Sequence, residues 1–427
     1  MRIRFRIDLT PSQREAYDAF HSDGVRELVL NFSRQQGKTT LCEILMIETL
    51  LSKRCTVYYV SPDFGQGKKV YREVLNLLLP TGQVRSKNSS DLTIETANGS
   101  FLGFFSAKNP TAIRGNTCSG LLVLDECAYL PEETPDGQNL WHMVIKPITK
   151  AKKPKVVFIS TPNGKSGLFY DKYLEGKGGT GPVRTIECDV YRDSLMSPDE
   201  IEALKADTPP LAWRQEFLVE FLDSELTAFD GFERCFRADA GRPSPKYPVW
   251  IGVDFSAGGE DATILTVADA QNRTEQFLIE GSLDAKYNRI ASLIDSYPLL
   301  RSAYLEANGI GEPMINEIRK LVRRNRSKIH YWETTHDSKN AMVGMLALMI
   351  DKGEIAFDAG DTELYREFGW FTYEVNKRTR IITYGAKAPR HDDRVMSLMM
   401  ALQSKQDSPS LAGSRYSFVG NGVRKVN

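Results

Sequence analysis

Residues 27–53 read ELVLNFSRQQGKTTLCEILMIETLLSK. ELVLNF (27–32) is mostly apolar and predicts a buried strand, and TTLCEILMIETLLSK (39–53) predicts the helix that follows it. Between them SRQQGKTT (33–40) closes on Gly37-Lys38-Thr39, the end of a phosphate-binding loop of the form GxxxxGK[ST]. Phe32 stands where the first Gly of that pattern would fall. The strand-to-helix setting supports the phosphate reading, because N–H groups at a helix N-terminus carry partial positive charge. In that reading Gly37 lets the backbone approach a nucleoside triphosphate, Lys38 reaches its β- and γ-phosphates, and the Thr39 hydroxyl ligates Mg²⁺.

Working outward, LLVLDE (121–126) is an apolar strand ending in two carboxylates. Such a strand presents them at the carboxyl edge of an α/β sheet, where these folds bind ligands. Asp125 is placed to hold Mg²⁺ through water and Glu126 to polarise the attacking water of a hydrolysis. Ser160-Thr161-Pro162 ends a further strand, KVVFIST, and reads equally as a γ-phosphate sensor or a simple turn. Arg114, in the polar loop NPTAIRGNT, reads from spacing alone as a surface charge.

CTVYYVSP (55–62) adds another strand, a helix is expected over about 68–79, and LTIETANGSFLGFFSA (92–107) reads as a hairpin turning at Asn98-Gly99. Strands alternating with helices predict a doubly wound, largely parallel sheet. Residues 163–182 read as a surface loop, and 198–222 as helices broken at Pro209-Pro210. ADAGRPSPKYP (238–248) concentrates Pro, Gly and Ser and is expected to be a linker between domains at 1–237 and 249–405. The end of the chain, 406–427, has no periodicity and is expected to be mobile.

The second half opens with VWIGVDFS, ATILTVAD and TEQFLIEGS, three runs that predict an antiparallel meander. A helix (287–297), a strand (302–307), a helix (311–325), a hairpin (369–385) and a helix from about 390 to 405 are expected after it. Asp254 interrupts an apolar strand, Glu306 ends another, and Asp392-Asp393 opens the last helix. Carboxylates amid apolar runs usually have partners. Three converging positions of this kind suit two Mg²⁺ ions, or Mn²⁺, clamping an in-line phosphoryl displacement, with Asp261 as an accessory ligand. Taken alone, Asp392-Asp393 reads as a helix cap. Basic residues cluster at Arg319, Lys320, Arg323, Arg324, Arg326 and Lys328, at Lys377, Arg378 and Arg380, and at Lys387 and Arg390, and are placed to hold a DNA backbone.

Lys+Arg and Asp+Glu both number 55 in 427 residues, so nucleic-acid binding must rest on such local patches. Six cysteines without CxxC spacing argue against zinc and for free thiols. No apolar run is long enough for a membrane span, and the N-terminus lacks the apolar core of a signal peptide.

A phosphate-loop NTPase followed by a carboxylate nuclease, in this order and size, resembles the large terminase subunit of tailed bacteriophages over roughly residues 8–405. That resemblance implies a P-loop ATPase domain followed by an RNase H-like nuclease domain. In that family the phosphate loop commonly lacks its first Gly and carries an Arg, so Arg34, Gln35, Gln36, Gly37, Lys38, Thr39 and Thr40 look like its working variant. Gln13 matches an upstream glutamine that contacts adenine, and Arg114 a loop arginine acting in trans. WRQEFLVEF (213–221) looks like the helix that ends the ATPase region. Asp254, Glu306 and Asp392 or Asp393 match the nuclease triad. The resemblance implies ATP and Mg²⁺ as cofactors (one ion at the ATPase site, two at the nuclease site). It also implies double-stranded DNA, a portal protein and a small terminase subunit as partners, a homo-oligomeric ring, no membrane, and action in the host cytoplasm. A helicase-like translocase with a DNA-binding second domain, and a non-motor NTP-binding protein of the virion, are the alternative readings.

Overall fold

The computed structural model describes residues 8–408 except 180, 223–226, 257–262, 307–311, 377, 379–380 and 387–389. Asp261, Lys377, Arg380, Lys387 and the end of the chain from 409 therefore lie outside the described residues. The chain divides into two compact units, Met1–Ser224 with Glu374–Ile382, and Glu225–Tyr373 with Thr383–Asn427. This division falls ahead of the stretch at 238–248 expected as the linker. Phe229, Phe232 and Cys235 belong to the second unit, packed in one apolar cluster with Phe357, Phe368 and Phe371.

The first unit is built on an eight-stranded sheet of β1 (Glu27–Phe32), β2 (Thr56–Ser61), β3 (Val84–Asn88), β4 (Thr93–Thr96), β5 (Phe101–Ser106), β6 (Leu121–Asp125), β7 (Lys155–Ser160) and β8 (Val183–Cys188). Their spatial order is β3-β4-β5-β2-β6-β7-β1-β8. From β5 to β8 all neighbours are parallel, while β3 and β4 join antiparallel at one edge. The expected hairpin is β4–β5, with Gly99 at φ +79° in its turn. Helices α1 (Pro11–His21), α2 (Lys38–Ser52), α3 (Phe64–Leu78), α4 (Pro110–Ile113), α5 (Lys146–Lys150), α6 (Leu168–Lys177), α7 (Pro198–Ala206) and α8 (Pro210–Glu216) complete the unit.

Period-2 side-chain alternation explains the near-continuous apolar strands. Leu28, Leu30 and Phe32 of β1 face one cluster with α2 and α3, and Val29 faces a second on the other side of the sheet. Two expectations fail here. Residues 163–182 contain α6, anchored by buried Phe169 and Tyr173, where a loop was expected. The helix expected through WRQEFLVEF stops at Glu216, and Val219 takes a positive φ of +54°.

The second unit carries a five-stranded sheet in the order β12-β11-β10-β13-β14, from β10 (Val249–Asp254), β11 (Thr263–Asp269), β12 (Thr274–Ile279), β13 (Leu300–Glu306) and β14 (Ile329–Trp332). The short strands β9 (Phe236–Arg237) and β15 (Phe357–Asp358) pair with each other, as do β16 (Phe371–Val375) and β17 (Ile382–Ala386). β10–β11–β12 is the expected antiparallel meander, and β10–β13–β14 is parallel. Helices α9 (Leu283–Ser296) and α10 (Glu312–Leu321) cover one face. On the other lie α11 (His336–Asp351), α12 (Thr362–Trp370) and α13 (Asp393–Asp407). β14, α11 and α12 were not expected from the sequence, and Gly369-Trp370, expected as strand, end α12.

No helix among the described residues is long and apolar enough to cross a membrane. The six cysteines are buried, and none forms a disulfide.

Candidate functional sites

The phosphate loop follows β1 and leads into α2. Its backbone takes positive φ at Gln35 (+62°) and Gly37 (+71°), and only glycine adopts such values without strain. A side chain at Gly37 would also strike the amide of Gln13. Gln13 works at both ends. Its Oε1 accepts from the Thr10 N–H at 3.0 Å, capping α1, and its Nε2 donates to the Gly37 carbonyl at 3.2 Å. Lys38 is buried, and its Nζ donates to the Phe32 and Ser33 carbonyls at 2.7 and 3.0 Å. Burial lowers its pKa, opposed by the charges of Glu126, Glu216 and Asp125. Gln36 is buried, Thr39 half-buried, and Arg34, Gln35 and Thr40 exposed.

Strand β7 lies between β1 and β6, so the loop and the Asp125-Glu126 pair stand at the same sheet edge, one strand apart. The Asp125 carboxylate accepts from Tyr59 Oη, from Gln66 Nε2 at 2.6 Å and from the Glu126 N–H at 2.9 Å. Glu126, at φ +44°, accepts from Ser160 Oγ at 3.3 Å. Burial raises the pKa of both acids, and for Glu126 the Asp125 charge adds to it. Hard oxygen donors held in place this way fit a Mg²⁺–triphosphate.

Glu216 is a site residue the sequence reading did not single out. It accepts from Arg34 Nε at 2.8 Å and from Tyr129 Oη at 2.9 Å, and its carbonyl accepts from the Arg34 N–H at 3.1 Å. Burial pushes its pKa up, but the Arg34 pair and the Thr161 and Tyr129 hydrogen bonds outweigh it and hold the carboxyl below its ordinary value. Arg114 stands apart on its own loop, its Nη2 donating to Gln138 Oε1 at 2.8 Å and lying 3.5 Å from Asp136 Oδ2.

In the second unit the register explains the acidic set. Val253 of β10 pairs with Leu305 of the parallel β13, so the next residues, Asp254 and Glu306, end neighbouring strands at one edge. Asp392 and Asp393 begin α13, which packs on β10. Burial raises the Asp254 pKa strongly, and the charges of Glu306, Asp393 and Asp392 raise it further against the opposing Lys339. Burial likewise raises Glu306, offset in part by a Thr334 hydrogen bond and the Lys339 charge. Lys339 Nζ donates to Asp392 Oδ2 at 3.2 Å, a contact with no signal in the sequence.

Among the described residues no group of three or more His, Cys, Asp or Glu is arranged as a metal-holding cluster. Among the described residues Asp254, Glu306, Asp392 and Asp393 are electrostatic neighbours, and Lys339 pairs with Asp392. The donor set itself, all oxygen and short of positive charge, fits a hard divalent cation. Arg323, Arg324 and Arg326 are exposed, and Arg390 lies 5.4 Å from the Trp370 ring centre.

A phosphate-loop α/β unit is thus followed in the chain by a second α/β unit with carboxylates at one sheet edge. Residues 1–207 match the family described as phage terminase large subunit gpA, ATPase domain. The chain is 21% identical over 377 residues to the large terminase subunit of Escherichia phage T5, covering 84% of this chain and 82% of that protein. It is 23% identical over 439 residues to that of Thermus phage G20c, covering 90% and 85%. Its fold is similar to the large terminase of a thermophilic bacteriophage, with TM-score 0.58, 14% identity, and 93% and 99% of the two chains covered. That terminase has also been solved in complex with ADP (TM-score 0.55, 13% identity, 92% and 98% covered). The chain is thus related along most of its length to the large terminase subunits of bacteriophages.

Proposed function

We propose that this chain is the large subunit of a viral DNA-packaging terminase, an ATPase that drives double-stranded DNA into a procapsid and an endonuclease that cuts concatemeric DNA. The observation that carries the reading is the pairing of two sites on one chain. One is a phosphate loop beside a strand-end Asp-Glu pair, and the other a set of carboxylates gathered at a second sheet edge. A module that only binds DNA has no need of that second set, which disfavours the helicase-like alternative.

At the first site the loop N–H groups and Lys38 bind the β- and γ-phosphates, and Thr39 and Asp125 hold Mg²⁺. Glu126 accepts the proton of the attacking water on a carboxylate oxygen, with Ser160 fixing its orientation. Arg34, tied to Glu216, lines the loop, and Gln13, held to the Gly37 carbonyl, is the residue assigned to contact adenine. Arg114 completes the site of a neighbouring subunit in a ring. At the second site Asp254, Glu306, Asp392 and Asp393 hold two divalent ions. When bound, those ions polarise the scissile phosphate. Double-stranded DNA, a portal protein and a small terminase subunit are the partners, and the host cytoplasm the place of action.

A double dissociation tests this. Lys38→Ala should lower ATP hydrolysis at least about a hundredfold and leave Mg²⁺-dependent plasmid cleavage in place. Asp254→Ala should do the reverse. Full cleavage by a folded Asp254→Ala protein would return the second unit to a DNA-binding role, and undiminished hydrolysis by Lys38→Ala would remove the phosphate-loop assignment.

A further inference from the structure

A helix that opens on an acidic residue usually turns that side chain back onto its own first-turn N–H groups. In α13 Asp392 holds the cap position, yet its side chain makes no such bond. Its Oδ2 instead accepts from Lys339. The work of the cap falls to another helix. Glu367 of α12, buried, places Oε2 2.8 Å from the Arg394 N–H and 3.2 Å from the Val395 N–H. These belong to the second and third helical residues, the donors a cap residue normally satisfies. Three residues along α12, Trp370 Nε1 donates to the His391 carbonyl at 2.9 Å. One helix thus grips the chain immediately before and immediately after Asp392-Asp393. Leu364 and Phe368, buried in the core, fix α12 itself.

We propose that Glu367 is a positioning residue of the nuclease site: by capping α13 from a separate helix it keeps the Asp392 carboxylate off its own helix end and available to divalent cations. The inference rests on the nuclease reading above. Without Glu367 the two N–H groups are orphaned in a buried place, and Asp392, at the cap position, is the residue whose carboxylate such a position normally turns onto them. The cap and the metal then compete for one carboxylate. In Glu367→Gln the amide oxygen still accepts both N–H groups, so the competition does not arise.

The test is Mn²⁺ binding to the full chain by calorimetry, alongside amide hydrogen exchange at Arg394 and Val395. Wild type and Glu367→Gln should bind Mn²⁺ within about threefold of each other, and Glu367→Ala at least tenfold more weakly, the range of outer-sphere partners. Glu367→Asp, one methylene short, should behave as the alanine variant does and serves if Glu367→Ala fails to fold. Adding Asp392→Asn to Glu367→Ala should cause little further loss, because that carboxylate has already turned away. A folded Glu367→Ala or Glu367→Asp protein with wild-type Mn²⁺ affinity overturns the inference and leaves the nuclease reading intact. Wild-type protein with protected amides and no Mn²⁺ binding overturns the two-ion reading itself.

Discussion

Ser397 of α13 lies directly on Gly252 of β10, its Oγ donating to the Gly252 carbonyl at 3.0 Å and lying in hydrogen-bond contact with Thr266 Oγ1 at 2.8 Å. A β-carbon at position 252 would collide with the Ser397 carbonyl and the Ala401 N–H, both main-chain atoms of the helix. Glycine thus sets the depth at which α13 docks, and that depth carries Asp392-Asp393 toward Asp254, two residues further along the strand. Gly252→Ala should cost about 1–3 kcal/mol or more, the range for overpacking. Cleavage should fall further than ATP hydrolysis. A melting curve and both assays check it; unchanged cleavage would show that the close approach does not govern the site.

Glu126→Gln should bind ATP at near wild-type affinity and hydrolyse it about 10²–10⁴ times more slowly, since the amide keeps the shape but accepts no proton. A fluorescent-nucleotide titration beside a phosphate-release assay separates the two. Loss of binding would give Glu126 a structural role through Ser160 instead.

Arg114→Ala should fold and bind ATP but lose most DNA-stimulated hydrolysis, if its guanidinium, held on an exposed loop by Gln138 and Asp136, exchanges those contacts for a neighbour's triphosphate. Mixed with Glu126→Gln, it should regain activity, since some interfaces then carry both groups. No recovery at any ratio in mixed rings would argue against action in trans.

Stability should depend on pH through Glu43 of α2. Burial, with the Glu73 carboxyl hydrogen-bonded beside it, pushes its pKa up to about 8. Its neutral form is the one the fold favours. The contribution is therefore fully present below the unfolded value of about 4.3 and is lost as pH rises toward 8. Glu43→Gln should melt close to wild type at pH 5 and above it at pH 9, by about 2–4 °C for each kcal/mol recovered. A melting difference that does not grow with pH would mean the group ionises normally.

Much of this protein was legible in its sequence because the signals are local. A strand, a Gly-Lys-Thr turn and a helix lie within one short window, and apolar strands that end in Asp125-Glu126, Asp254 and Glu306 announce their sheet edge by pattern alone. The period-2 and helical repeats follow from backbone geometry, which each segment carries with it. What was missed was locally ambiguous or not local. α6 sits among glycines and buries few side chains, β14 has four residues, and the unbroken apolar run of α11 has no single face to betray its period. Glu216 meets Arg34 across 182 residues, Lys339 meets Asp392 across 53, and Glu367 caps Arg394 across 27. Which acid holds the loop arginine, which lysine faces the carboxylates and which glutamate frees Asp392 depend on contacts between distant segments. Only tertiary packing fixes these, because hydrogen bonds and charges act over a few ångströms of space and are blind to distance along the chain.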